Sequence, residues 1–443
     1  MSPMPPSCLL PAHAPLVIAG GGAAGFMAAI TAGEAGLQGV LLLEATAEPL
    51  QKVRISGGGR CNVTHACWDP LQLIGHYPRG GRPLLGPFSR FASGDAVAWF
   101  HDHGLELVEE ADGRLFPSSQ RSSSVIHTLR RAAQAAGVQV CPGTALVGVE
   151  RPTPAGFRCQ LRRSGEAAAA ATSLGCERLL LATGGHPSGR KLAAALGHTI
   201  VPPLPSLFSL SLADAALTAL AGVAIDPVVL SLELPGGVGF RQQGAVLITH
   251  RGLSGPATLR LTAFAARALQ QHGYRGLLRI DWSGGRSVEE VQALLADGRQ
   301  RQARRQLASW RPWPELSRRL WLQLLAAAGV EPERRWADLR RDELGALVTA
   351  LTASCYPVTG RGPFGEEFVT AGGVPLGELN LATMESRRVP GLHLAGELVD
   401  VDGVTGGFNF QHCWSSGWLA GQAIAAALAP ASPQLQPVAP GPT

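Results

Sequence analysis

The chain has 443 residues, 46% of them apolar, and a formal net charge of +5 at pH 7. That length and apolar content support a large buried core in two or three domains, and exclude a disordered chain or a small disulfide-stapled scaffold. The opening MSPMPPSCLLPAHAPLVIAGG has no basic n-region and its apolar run is cut by prolines, so neither a secretory signal nor a spanning helix is expected and a cytoplasmic protein is.

PLVIAGGGAAGFMAAITAGEAG followed by VLLLEATAEP reads as a buried strand, a glycine-rich turn, an alanine-rich helix and a second buried strand, the opening βαβ unit of a doubly wound α/β fold. SVIHTLRRAAQAAG is an amphipathic helix, VQVCPG a strand, ALVGVERP with FRCQLRR a hairpin, and CERLLLATGG a buried strand ending in glycines. After VPPLPSLFSL the pattern changes to short β segments: SLFSLSLAD, DPVVLSLELP, GAVLITH and YRGLLRIDW. A helical stretch then runs from Ser287 to Ser354 and carries Trp310, Trp313, Trp321 and Trp336. VTAGGVPLGE, GLHLAGELVD and the helix WSSGWLAGQAIAAALA restore the α/β character before a proline-rich tail. The expected domains are therefore a nucleotide domain in two parts, residues 1–198 and 356–430, around a β-rich insert at 199–285 and a helical insert at 286–355, with 431–443 a disordered tail.

Gly20, Gly22 and Gly25 form GxGxxG between a strand and a helix. The first glycine permits the turn, the second lets a pyrophosphate approach the backbone, and the third packs helix on strand. The helix N-terminus offers unpaired N–H groups to the anion. Glu44 closes the second strand, where an acid accepts hydrogen bonds from adenosine ribose hydroxyls. An ADP-containing dinucleotide follows. Return of glycine-rich motifs at Thr183 and Gly396 favours FAD over NAD: LLLATGG resembles the second strand-to-loop contact of two-dinucleotide flavoproteins, and LHLAGELVD their late strand.

RISGGGRCNVTH, LLLATGG, THRGLSGPATLR, VTAGGVPLGELNLATMES and GLHLAGELVDVDGVTGGFNFQHCWSSGWLAG, in that order, resemble the YhiN/BaiN-like family of FAD-binding oxidoreductases across most of the chain. The resemblance implies a glutathione-reductase-type FAD-binding Rossmann-like domain interrupted by a β-barrel-like domain and a helical domain. It also implies flavin-dependent reduction of a C=C bond next to a carbonyl, in an enone or in uridine of ribosomal RNA; small-amine oxidation with O₂ is the family's other described activity.

Carried over residue by residue, the resemblance gives Gly20, Gly22, Ala23, Ala24, Gly25, Glu44 and Ala45 for the ADP half. Arg54, Ser56, Gly58, Gly59, Arg60, Cys61 and Asn62 wrap the pyrophosphate and approach the ring, with Leu146, Thr183, Gly184, Gly185 and Gly396 in the same set. Glu397 and Asp400 reach the ribityl chain or diphosphate, and Gly406, Gly407, Phe408 and Asn409 close over the isoalloxazine. Phe408 stands where the family often has tyrosine, and His412 with Cys413 where it has a Trp-Ala pair; the segment after Gly185 is also shorter.

SGGGRCN supplies consecutive backbone N–H groups and Arg60 to a diphosphate. Cys61 and Cys67 are read against a redox disulfide, because their spacing turns through roughly 600° on a helix and leaves the thiols on different faces. Cys61 is either a thiol that donates a proton during hydride addition or a packed loop cysteine. His412 is either an acid near the ring or a satisfied imidazole behind it. Cys61, His412 and Asn409 are the catalytic candidates; His65 lies beside a motif without a second ligand at metal spacing, His250 reads as structural, and no metal is expected.

The substrate is a small molecule or ribosomal RNA. NADH or NADPH is the expected reductant, held transiently because no second strand-turn-helix dinucleotide unit is read in the chain, or the donor is something else. An amine oxidase would need a compact aromatic pocket, to which Phe408, Phe410 and Trp414 could contribute. An RNA-binding flavoprotein forming dihydrouridine would use the run from Arg299 to Arg319, where seven arginines face the single acid Glu315, although such a run also suits a solvated helix face.

Overall fold

The computed structural model describes residues 9–153, 156–166, 171–362 and 369–429. They fall into two units, the described parts of Met1–Val201, Gly372–Val401 and Gly406–Thr443 in one, and those of Pro202–Ala371 and Asp402–Thr405 in the other.

In the first unit, strands β1 (His13–Ala19), β2 (Val40–Leu43), β3 (Gln139–Cys141), β4 (Thr172–Leu181) and β5 (Leu392–Leu394) lie parallel in the order β3-β2-β1-β4-β5. Both faces of such a sheet are covered, which is why β1 and β2 read as unbroken apolar runs: Leu16, Val17, Ile18 and Leu42 are fully buried. The strand order reverses between β1 and β4. The region beyond their carboxyl ends at such a reversal is the place where these folds bind ligands.

Helix α1 (Ala23–Glu34) follows β1 directly, α2 (Gln51–Gly59) follows β2, and α3 (Phe408–Leu428) closes the unit. Alanines and glycines let α1 and α3 pack backbone to backbone. A Cβ on Gly417 would stand 2.5 Å from the Ala24 carbonyl oxygen, and one on Gly421 2.6 Å from that of Ala28. The hairpin of Thr144–Thr153 and Gly156–Arg163 joins the same sheet through β4.

The second unit is built on a closed antiparallel barrel of Leu210–Leu212, Gly252–Ser254, Val238–Thr249, Ala224–Leu234, Gly276–Asp281 and Ser354–Arg361. Its apolar interior, including Leu230, Ile248, Leu278 and Trp282, is continuous with Leu320, Trp321, Leu324 and Trp336 of the helical stretch. The β-rich and helical inserts thus share one core. The re-entry expected at 356 occurs at Gly372 instead, because Ser354–Arg361 pairs with Gly276–Asp281 and Leu210–Leu212 to shut the barrel. The tail at 431–443 lies outside the described residues. No helix among the described residues is long and apolar enough to cross a membrane.

Candidate functional site

The loop after β1 shows a separate reason for each glycine. Gly20 has φ +116°, and a Cβ there would meet the Ala182 carbonyl oxygen at 2.3 Å. A Cβ on Gly25 would fall 1.9 Å from the Gly20 carbonyl oxygen. Gly22, by contrast, has no heavy atom within 4 Å of where its Cβ would be, so the space before the first turn of α1 is open. That turn has no side-chain cap and no acid, which leaves its N–H groups and partial positive charge for an anion. Ala23 and Ala24 are buried in it.

At the end of β2 the Glu44 carboxylate is fixed on both oxygens: Gly21 N–H donates to Oε2 over 2.9 Å, and the Thr46 N–H and hydroxyl each donate to Oε1 over 2.8 Å. Ala45 beside it is exposed. Thr144 N–H donates to the Glu44 carbonyl over 2.7 Å, which brings the buried Leu146 to the same end of the sheet.

Two further strand ends converge here. Beyond β4, Thr183 holds a buried hydroxyl with no protein partner, Gly184 has φ +61°, and Gly185 accepts from Arg190 over 2.6 Å. Beyond β5, Gly396 has φ +68° and a Cβ there would sit 3.0 Å from Ala24 Cβ. Glu397 forms an ion pair with Lys52 of α2, and Asp400 Oδ1 accepts from Gly372 N–H over 3.1 Å.

SGGGRCN is wound into a left-handed run at the end of α2: Gly57, Gly58, Gly59 and Cys61 have φ of 56°, 68°, 85° and 65°. Gly58 and Gly59 have open space where a Cβ would be. Ser56 marks the bend (ψ 152°) and its carbonyl accepts from Cys61 N–H over 3.0 Å.

The two arginines expected at the phosphate point elsewhere. Arg60 pairs with Glu110 at 2.6 Å and lies over the Phe116 ring at 4.0 Å; Arg54 pairs with Glu48 at 2.7 Å. Each guanidinium has an acid nearby that a free diphosphate would have to displace. Asn62, expected to touch the cofactor, spends its amide inside the protein, donating to the Thr64 carbonyl over 2.9 Å and accepting from Gly407 N–H over 3.0 Å.

Gly407 caps α3, whose first residue, Phe408, is buried. Its ring stacks on His76 at 4.1 Å and His65 at 4.7 Å, and its carbonyl accepts from the Tyr77 hydroxyl over 2.6 Å. Asn409, the next residue, is half-buried. A Cβ on Gly406 would meet His65 Cδ2 at 3.1 Å.

Two of the three catalytic candidates, Cys61 and His412, are buried. Cys61 is fully buried, and desolvation pushes its thiol up to about 12, so it is neither on display nor a ready proton donor at neutral pH. His412 is buried with Nε2 unpartnered, and desolvation lowers its pKa to about 4; a neutral imidazole is a poor acid. Cys413, its neighbour, is likewise pushed up to about 12 by burial. Trp414 is fully buried and donates to the Val63 carbonyl over 2.9 Å. Phe408 is also in the core, and half-buried Phe410 stacks on Trp414 at 5.7 Å.

His250 is exposed in a turn of the second unit. Cys61 and Cys67 are free thiols, and no group of three or more His, Cys, Asp or Glu among the described residues could hold a metal ion. Reasoning from sequence missed Lys52, His76, Tyr77 and Arg190. Lys52 had one signal, being one of two lysines in the chain, but its partner lies near the other end.

Open glycine positions, a fixed Glu44 carboxylate, an uncapped helix terminus and an orphaned Thr183 hydroxyl suit a dinucleotide laid across these strand ends. Comparison with known proteins agrees. The HI0933-like protein Rossmann domain family matches residues 14–423. A ribosomal RNA dihydrouridine synthase of Escherichia coli (strain K12) is 30% identical over 429 residues, 93% of this chain and 98% of that protein. A 3-dehydro-bile acid delta(4,6)-reductase of Clostridium scindens is 29% identical over 419 residues, 92% of this chain and 98% of that one. In fold, 3-ketosteroid delta1-dehydrogenase from Sterolibacterium denitrificans aligns over 94% of this chain and 100% of its own, with a TM-score of 0.50 at 12% identity. The chain belongs to the HI0933-like Rossmann-domain family and is an FAD-dependent oxidoreductase.

Proposed function

We propose that the carboxyl ends of β1, β4 and β5 hold FAD and that the enzyme uses NADH or NADPH to saturate a C=C bond conjugated to a carbonyl. The observation that carries the cofactor reading is the pattern of glycines: Gly20 and Gly25 are filled by backbone, whereas Gly22, Gly58 and Gly59 face open space. Backbone N–H groups around those three bind the diphosphate, Glu44 accepts from the adenosine ribose, and Glu397 accepts from the ribityl chain. The N-terminus of α3, at Phe408 and Asn409, carries no acid in its first turn and would favour negative charge on a flavin bound there.

FAD, when bound, would supply the redox chemistry, hydride transfer between a nicotinamide donor and an electron-poor carbon. The substrate class is supported by the two relatives, whose names, a delta(4,6)-reductase of a 3-dehydro bile acid and a dihydrouridine synthase, both denote saturation of a C=C bond activated by a carbonyl. The chain's task is to orient acceptor carbon and carbonyl. Cys61 and His412 are held neutral by burial, so the proton comes from another group or from water.

The test is anaerobic mixing of the yellow protein with NADH or NADPH, following absorbance at about 450 nm. Bleaching, followed by recovery on adding an enone or unmodified ribosomal RNA, is the expected result. Bleaching by small amines and by neither nucleotide would overturn the proposal. Exposed Arg304 and Arg305 in the second unit favour RNA as a second substrate reading, because clustered guanidinium groups bind phosphate backbones.

A further inference from the structure

Around the open glycines, Arg54 and Arg60 are paired with Glu48 and Glu110, and Arg190 donates to the Gly185 carbonyl. Lys52 is different: it reaches from α2 to Glu397, beyond β5, and closes an ion pair across the carboxyl end of the sheet. Glu397 stands close to where a diphosphate must lie. Its neighbour Gly396 is packed on Ala24 in the first turn of α1, and a Cβ on Gly184 would sit 3.6 Å from Glu397 Oε2. Its side chain is 12% exposed.

A bare carboxylate in that position would repel a dianionic group. Among the described residues Lys52 takes Oε2 and no hydrogen bond to Oε1 occurs. Resting on the FAD reading above, we propose that Lys52 is a positioning residue that neutralises Glu397, so that this carboxylate can stand beside the diphosphate and offer its second oxygen to a ribityl hydroxyl. The attraction is felt by Lys52 itself. Glu397 holds its ammonium above the usual lysine range although burial, the largest single influence on it, acts the other way.

The experiment titrates full-length protein stripped of flavin with FAD, following flavin fluorescence and the visible spectrum, for wild type, Lys52→Met, Lys52→Arg, Glu397→Gln and the Lys52→Met/Glu397→Gln double variant. Lys52→Met should bind FAD about tenfold more weakly. Removing the carboxylate's charge as well should bring the double variant back to within about threefold of Glu397→Gln alone, and Lys52→Arg should resemble wild type.

Wild-type affinity in Lys52→Met overturns the proposal. A double variant as weak as Lys52→Met also overturns it, since Lys52 would then contact the phosphate directly. Far-UV dichroism and the melting temperature without FAD identify any variant that has not folded, and in that case the Lys52→Arg and Glu397→Gln pair decides: weak binding by Lys52→Arg, whose charge is kept, overturns the proposal. Failure of wild type to take up FAD is a separate result and overturns the cofactor reading itself.

Discussion

Asn62 and Gly407 come from opposite ends of the chain and are joined by a hydrogen bond: the Gly407 N–H donates to the Asn62 side-chain oxygen over 3.0 Å, while the Asn62 amide donates to the Thr64 carbonyl over 2.9 Å. One buried amide thus fixes the glycine-rich loop after α2 to the cap of α3. A Cβ on Gly407, whose φ is +93°, would meet the Thr64 carbonyl at 2.7 Å, so the fit leaves no slack.

Asn62→Leu removes both bonds while keeping the size of the side chain. The Gly407 N–H and the Thr64 carbonyl both lose their partner, a loss of about 1–3 kcal/mol for each group that stays dry. Urea denaturation should show this cost, and FAD should leave the variant faster than wild type. A variant as stable as wild type would show that the bridge contributes nothing.

Two glycines of the same motif should separate folding from binding. Gly25→Ala places a methyl group 1.9 Å from the Gly20 carbonyl oxygen and should destabilise the flavin-free protein. Gly22→Ala meets nothing within 4 Å; its cost without flavin should stay within about 1 kcal/mol. Its FAD affinity should nonetheless fall, because the methyl group occupies the approach of the diphosphate. Melting temperatures with and without FAD distinguish the two.

Cys61 and Cys413 predict the alkaline limb of stability. Their thiols are raised from 9.0 to about 12 in the fold. The unfolded chain therefore releases these protons first. Stability is fully present below pH 9 and lost as pH rises toward 12. Cys61→Ala should flatten that limb, and Cys61 should resist iodoacetamide at neutral pH. Rapid alkylation of Cys61 in the native protein would contradict its burial.

His412 predicts the acid limb with the opposite sign. Its pKa falls from 6.5 to about 4 on folding, so between these values the unfolded state binds the extra proton and stability declines as pH falls. His412→Asn should reduce the decline between pH 6.5 and 4. His393, lowered to about 4 by its own burial, and His65, also lowered by burial, keep part of the decline. The pH profile of kcat/KM should not shift in the variant; a shift of its acid limb would return His412 to the chemistry.

If RNA is the substrate, Arg304→Glu/Arg305→Glu should weaken its binding and reduce the salt dependence by about two charges' worth. FAD content and reduction by NAD(P)H should stay unchanged. Unaltered RNA binding would remove the arginine run from the site.

Much of the geometry of the candidate nucleotide site was legible in the chain because several of its determinants are local. Gly22, Gly25 and Glu44 act through a turn, a helix end and a strand end that short motifs specify, Gly20 is in addition confined by the Ala182 carbonyl of a distant strand end, and the structure shows a distinct contact or opening for each. The family, the α/β class and the flavin cofactor followed from motifs of this kind. What the chain could not reveal is where side chains spend their charge. Arg60 was expected at a phosphate and meets Glu110; Lys52 finds Glu397; Asn62 is taken up by Gly407. The closing strand of the barrel was misplaced for the same reason, since Ser354–Arg361 finds its partners in distant segments. The tight turn that begins at Gly20 is written in a short local motif. Ion pairing, strand partnership and the desolvation that silences Cys61 and His412 depend on neighbours in space, and tertiary packing alone decided them.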